Sequence, residues 1–172
     1  MKEAAIQRAT LVFCIEPQRI LLGMKKRGFG EGKWNGMGGK LLPTETLEEC
    51  SRREMEEEAG IQIGELKKCG ILRFEYQDSP PTWEVHVFKS SDFNGTICES
   101  DEMCPRWFAL DEIPYESMWL DDKYWLPLLL KGQNFLGKFL FQGHEKILDH
   151  RVEIVPQDQN VPKEWPNMQN RQ

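Results

Sequence analysis

Three glutamates, Glu54, Glu57 and Glu58, stand at i, i+3 and i+4 in the run RREMEEEAGI. On a helix that spacing puts all three carboxylates on one face, where like charges repel by roughly 0.2–0.5 kcal/mol per pair. They also crowd the C-terminal end of the segment, where the helix macrodipole disfavours anions by about 0.3–1 kcal/mol each. Arg52 and Arg53 offset part of that cost. A bound cation would explain why the rest is tolerated. Oxygen donors suit a hard divalent ion such as Mg2+, with Mn2+ able to stand in, and such an ion fills its other positions with water and substrate phosphates. The competing reading is a solvated acidic helix face.

Several elements must hold these residues in place. Thr46 and Glu49 have the T-x-x-E spacing of a capping box, which predicts a helix starting near Leu47. Gly60 supplies its left-handed stop, and Leu47, Cys50 and Met55 supply a narrow apolar stripe. Ahead of it, residues 9–15 and 19–25 read as strands joined by a turn at Glu16-Pro17-Gln18, and 26–33 as a glycine-rich loop. Beyond it, 71–77 and 83–89 read as a hairpin turning at Asp78-Ser79-Pro80-Pro81. A strand at 106–110, a turn or short helix at 111–118 and a helix at 121–130 bent at Pro127 follow. Two late strands, 135–141 and 146–155, are separated by Gly143. The class this implies is α/β with a mixed β-sheet between helices. Residues 1–156 read as one domain, and 157–172, rich in Pro, Gln and Asn, as a disordered tail.

Composition narrows the partners. A net charge of −6 argues against sequence-independent binding to a nucleic-acid polymer, which needs clustered Lys and Arg. An acidic chain can still bind polyphosphates where a divalent metal inverts the local charge. Five cysteines without a CxxC read as reduced thiols, mostly core fillers. No run of about 18 apolar residues predicts a membrane span, and the N-terminus lacks the pattern of a signal peptide. These features lead to the expectation of a cytoplasmic chain with neither a nucleic-acid polymer nor a membrane as partner.

The long gapped pattern around the glutamates is more specific than the glutamates alone. Gly39, Glu45 and the run Arg53-Glu54-Met55-Glu56-Glu57-Glu58-Ala59-Gly60-Ile61 fit G-x5-E-x7-R-E-U-x-E-E-x-G-U, where U is apolar, with every fixed position filled. On that motif the chain is identified as a member of the Nudix hydrolases. The resemblance implies an α/β/α sandwich and hydrolysis of a nucleoside diphosphate linked to another group. It also implies Mg2+ held by Glu54, Glu57, Glu58 and the Gly38 carbonyl. Further runs (LLGMKKRGFG, WNGMGGK, VHVF, ESDEM, MWLDDKYWLPLLL and FQG) resemble the MutT-related branch that cleaves oxidised purine nucleoside triphosphates. They cover the chain to about Val155.

The branch implies roles residue by residue. Asp121 and Asp122, beside Leu120 and the stacking surface Trp119, would read the base. Asn35 would add an amide contact, Phe29, Phe74 and Trp119 would line the base pocket, and Trp83 stands at a further pocket position. Thr10 and Lys25 would border the nucleotide, with Met37, Gly38, Gly39 and Lys40 in the adjoining loop. Glu102 matches an acid that completes the metal site or polarises water. Glu57 or Glu102 would orient or deprotonate the water, and Arg53 would pin the glutamates. Chemistry supports the narrower likeness. Two close carboxyls raise the pKa of one of them, and a protonated Asp donates as well as accepts. Such a pair could read both 8-oxo-guanine and 2-oxo-adenine. Each assignment has a plainer rival: Asp121 and Asp122 as helix caps, Asn35 as a turn residue, the aromatics as core, Lys25 and Glu102 as surface charges, and His86 as a sheet residue. Two positions depart from the branch: Met37 replaces an aromatic, and Trp83 replaces a Met. The activity implied is conversion of damaged purine (deoxy)nucleoside triphosphates to monophosphate and pyrophosphate. The alternatives are another nucleoside diphosphate-linked substrate, an inactive nucleotide-binding module, or an interaction protein.

Overall fold

The structure is a computed structural model that describes residues 5–167. β1 (Ile6–Glu16) turns into β2 (Arg19–Lys25), and a glycine loop leads to the short β3 (Trp34–Asn35). α1 (Leu47–Ala59) follows, then the two-residue β4 (Gln62–Ile63), β5 (Lys67–Tyr76), β6 (Thr82–Ser90) and the two-residue β7 (Phe93–Asn94). β8 (Met103–Ala109), a 3-10 turn at Tyr115–Ser117, α2 (Asp122–Leu130), β9 (Asn134–Gln142) and β10 (Lys146–Val155) complete the order.

The main sheet runs β10-β9-β5-β6-β1-β2-β3, with β8 also paired to β2. It is mixed: β1 lies parallel to β6 and β5 parallel to β9, while β5–β6 and β9–β10 are antiparallel hairpins. Side chains alternate across a strand, so each face has its own core. Leu11, Phe13, Leu72 and Val87 pack with Trp125, Leu126 and Leu129 of α2. Val12, Cys14 and Phe88 pack with Met55 and Ala59 of α1. The sandwich expected from sequence is therefore present.

α1 begins and ends where its sequence signals lie. Thr46 accepts from the Glu49 N–H at 3.1 Å, and Glu49 accepts from the Thr46 N–H at 2.9 Å. Gly60 sits at φ 71° and donates to Glu56 O. Pro127 lies inside α2.

The β1–β2 hairpin holds its pairing only near the turn, at Ile15–Ile20 and Glu16–Arg19. Beyond that β2 pairs with β3, while β8 pairs with β2 along its whole length, and the chain at 37–41 lies beside the vacated edge of β1. Thr10 N–H donates to Gly39 O at 3.0 Å and Val12 N–H to Met37 O at 2.7 Å. That splay brings the Gly38-Gly39 loop against α1.

One expectation needs correcting. Residues 157–167 lack regular secondary structure, yet Val161 and Trp165 pack on Ile71, Leu136 and Val155. The Lys68 ammonium donates to the carbonyls of Pro162 (2.8 Å) and Lys163 (3.2 Å). Two scattered apolar residues suffice to dock a polar segment when the sheet leaves an apolar face open. The remainder of the predicted tail lies outside the described residues.

Candidate active site

Glu58 is the hinge of the arrangement. It falls on the same side of α1 as Cys50, Ser51 and Met55, so a carboxylate sits on the helix's buried face with 7% exposure. Its Oε1 accepts from Gly38 N–H at 2.8 Å. Burial, and secondarily the neighbouring Glu54 carboxylate, push it up to about 8, against the lowering effect of that hydrogen bond. Arg53 organises the others. Its guanidinium donates to both oxygens of Glu45 (3.0 and 2.7 Å), to Glu54 at 2.9 Å and to Glu57 at 3.3 Å. The Glu45 carboxyl is held down at about 2, chiefly by Arg53. Glu57 remains 59% exposed.

Gly38 is required by its closeness to the β1 backbone, and Gly39 leaves room for the Glu54 carboxylate. A Cβ there would lie 2.4 Å from Glu54 Oε1, and one on Gly38 would lie 1.9 Å from Thr10 O. Only hydrogen lets loop, strand and helix meet at this distance.

Among the described residues no three His, Cys, Asp or Glu side chains are gathered tightly enough to grip a metal ion as they stand. Arg53 holds Glu54 and Glu57, and Glu58 is turned to Gly38. The donor set nevertheless fits a hard divalent ion. It is all oxygen, and two carboxyls press together in a partly dry site, an arrangement a cation would relieve.

Glu58, Gly38, Gly39 and Thr10 also form one end of a cavity of about 370 Å³. Its wall includes Lys25, Phe29, Asn35, Lys40, Phe74, Trp83, Trp119, Asp121 and Asp122, all singled out from the sequence. Trp119 stacks near Phe29 (centroids 5.0 Å apart), and Lys40 Nζ lies 5.6 Å over the Trp83 ring. Thr10 contributes its backbone, since its hydroxyl faces Cys50 Sγ at 3.3 Å. Asn35 serves in part as a turn residue, accepting from Gly36 N–H at 2.8 Å.

Asp121 and Asp122 are only 4% and 2% exposed. Trp125 Nε1–H donates to Asp121 Oδ2 at 2.8 Å, and Trp119 N–H donates to Asp122 Oδ2 at 3.0 Å. Asp121 occupies the cap position of α2 without a side-chain cap bond. Burial raises Asp121 to about 6 and Asp122 well above the usual carboxyl range, with the Asp121 charge adding to the second shift.

Some predicted residues fall elsewhere. Met37 is wholly buried in the α1-side core and does not line the cavity, because its peptide pairs with Val12 and turns the side chain inward. Leu120 is partly exposed and off the wall. Glu102 is an outer residue, ion-paired to Lys25 (3.4 Å) and Arg27 (3.5 Å). His86 is buried and bonds Glu84 at 2.8 Å, as a sheet residue would. Sequence reading missed Leu72, Tyr76, Val85, Lys33 and Trp125 on the wall. Strand alternation from Phe74 and Trp83 marks the first three, and helical spacing from Asp121 marks Trp125.

A mixed sheet between two helices, a glycine loop locked to a glutamate helix, and an aromatic cavity beginning at that helix together define a Nudix-type fold. The chain matches the NUDIX domain family over residues 5–129, and it belongs to that family. It is 49% identical over 146 residues to the oxidized purine nucleoside triphosphate hydrolase of Danio rerio, covering 85% of this chain and 94% of that protein. The mouse protein of the same name matches to the same extent. A crystal structure of a MutT protein from Bacillus halodurans superposes with a TM-score of 0.77 at 26% identity, covering 86% of this chain and 97% of that one. The protein is thus a Nudix hydrolase, and the family generally uses divalent metal ions. No helix among the described residues is long and apolar enough to cross a membrane.

Proposed function

We propose that this chain hydrolyses damaged purine (deoxy)nucleoside triphosphates to the monophosphate and pyrophosphate, and so clears them from the nucleotide pool. The candidates are 8-oxo-dGTP, 2-oxo-dATP and O6-methyl-dGTP. The observation that carries this is the buried Asp121–Asp122 pair beside Trp119 in the cavity wall. Both carboxyls are raised, so one can hold a proton and donate while its neighbour accepts. Such a pair matches purine edges that present N–H and C=O groups in different orders. The 49% identity to hydrolases bearing that substrate in their name supports the same reading.

The triphosphate runs from the base pocket toward the Gly38 end of the cavity, with Lys25 on the wall to meet its charge. Glu54, Glu57, Glu58 and the Gly38 carbonyl would hold the divalent ion, Mg2+ by preference with Mn2+ substituting, and Glu102 would complete the set. When bound, the ion supplies Lewis-acid neutralisation of charge developing on the phosphates. Arg53 keeps the glutamates on one side of the helix, and exposed Glu57 is placed to orient the attacking water. The enzyme acts as a cytoplasmic monomer on a small-molecule nucleotide, with neither nucleic-acid polymer nor membrane.

A nucleotide panel assayed for pyrophosphate release with Mg2+ tests the reading. It would include oxidised and intact purine triphosphates, dinucleoside polyphosphates and ADP-ribose. Preference for oxidised purines is expected; equal turnover of the intact ones, or none of either, overturns it.

A further inference from the structure

The β9–β10 turn carries His144, which does not line the cavity yet touches three aromatic rings that do. Its ring centroid lies 4.8 Å from Phe29, 5.6 Å from Tyr76 and 6.1 Å from Trp119, at interplanar angles of 77°, 71° and 81°. These are edge-to-face contacts, the arrangement aromatic quadrupoles favour. We infer that His144 is a positioning residue: it holds Phe29 against Trp119 and closes the cavity mouth on a bound purine base. This rests on the substrate class proposed above.

The two sides of the mouth differ in how they are built. His144 stands on the firm side. β9 and β10 pair along their length, and Gln77 N–H donates to Phe141 O at 2.9 Å, tying the turn's root to the end of β5. Phe29 stands on the adaptable side. Its loop contains Gly28, Gly30 and Gly32, all at φ near +80° and tied at the base by Gly32 N–H to Lys25 O at 2.8 Å. The Phe29 ring is 64% exposed, so burial does little to fix it. Trp119 and His144 supply the faces and edge it rests on. The loop fits closely there, since a Cβ on Gly30 would come within 3.0 Å of the Trp119 ring. A purine presents a π-face on which such rings stack. An ordered Phe29–Trp119 pair binds it without first having to be assembled, which lowers the cost of association.

The test compares His144→Ala and His144→Phe with wild type, and with His150→Ala as a control. His150 lies on β10 against Tyr124 and Phe139, away from the mouth. Steady-state hydrolysis of 8-oxo-dGTP and calorimetric binding of 8-oxo-dGMP are measured. For His144→Ala, KM and the monophosphate Kd are expected to rise roughly 2- to 10-fold, the size of one aromatic pair contact. kcat should stay within about 2-fold, because the metal end of the cavity is untouched. His144→Phe retains the ring edge and should restore both constants, and His150→Ala should change neither. An unchanged KM and Kd in His144→Ala, a loss confined to kcat, or failure of His144→Phe to rescue overturns the role. A wild-type chain inactive on oxidised purines sinks the proposed function instead, and the two failures are distinguished by the wild-type arm alone.

Discussion

Asp121 and Asp122 lose hydration on folding, and burial raises both carboxyls, Asp121 to about 6. The folded chain then binds more protons than the unfolded one above the ordinary carboxyl value of 3.8, so stability falls as pH rises from there through about 6. For Asp122, also raised by burial, the direction is the same. Asp121→Asn and Asp122→Asn retain an oxygen for the Trp125 and Trp119 N–H donors while removing the titration. Thermal unfolding from pH 4 to 8 should show a shallower decline in each variant than in wild type; parallel curves refute the burial argument. The same variants should blur discrimination between oxidised and intact purines. Glu57 makes a different case, because its side chain is exposed and the hydrogen bond it accepts from Arg53, at 3.3 Å, is long. Glu57→Gln should leave the melting temperature nearly unchanged and cut kcat by about 100-fold or more, as loss of a general base or metal ligand does. Turnover near wild type would remove Glu57 from the mechanism.

The segment 37–41 and α1 act as one unit, because Gly38 and Gly39 let loop, β1 and helix approach without side chains between them. Gly38→Ala would place a Cβ 1.9 Å from the Thr10 carbonyl, a contact no rotamer relieves. The loop must move away from β1, which disturbs the Gly38 N–H bond to Glu58. We expect about 1–3 kcal/mol of destabilisation from overpacking, and a kcat loss of about 100-fold from misplacing the site by around an ångström. Chemical denaturation and steady-state kinetics read the two separately, and a stable, fully active Gly38→Ala would mean the close approach is dispensable. This unit shows what sequence could and could not provide. The helix ends were readable because Thr46, Glu49 and Gly60 act locally. The strands of the β5–β6 and β9–β10 hairpins were readable from their β-rich runs and turn residues. The splay of β1 from β2, which turns Met37 into the core, was not, because it shows only where β3 and the 37–41 chain take up the edges that the two strands leave. The two-residue strands β4 and β7 escaped for the same reason, since each exists only through its partner.

Two layers cover the sheet on the α1 side. α1 shields the half around Val12 and Phe88, and the chain after β10 shields the half around Ile71 and Leu136. Composition marked that segment as unstructured because its Gln, Asn and Pro content hides two anchors, Val161 and Trp165. Their value depends on an apolar face that only the assembled sheet presents. Lys68 adds a second tie: its ammonium is partly desolvated, and burial lowers its pKa. The Pro162 and Lys163 carbonyls replace the lost water. The Arg8–Glu164 pair, 3.7 Å apart with both side chains largely exposed, contributes little. Deleting residues 157–172 would uncover Ile71 and Leu136 and remove both carbonyls to which the Lys68 ammonium donates. Fully burying one large apolar side chain is worth about 1.5–3 kcal/mol, and Trp165 and Val161 are each half-buried, so the loss should be of that order. For a chain of this length it corresponds to a melting temperature lower by roughly 4–10 °C. Ile71 and Leu72 point to opposite faces of β5, with Leu72 on the cavity wall. kcat/KM of the truncated chain should therefore stay within about 2-fold of wild type at 25 °C, a difference of under about 0.5 kcal/mol. Trp165→Ala should reproduce about half of the thermal shift. An unchanged melting temperature in both forms would show that the segment rests on the sheet without stabilising it; a collapse of activity with intact folding would show that it reaches the cavity from the far face.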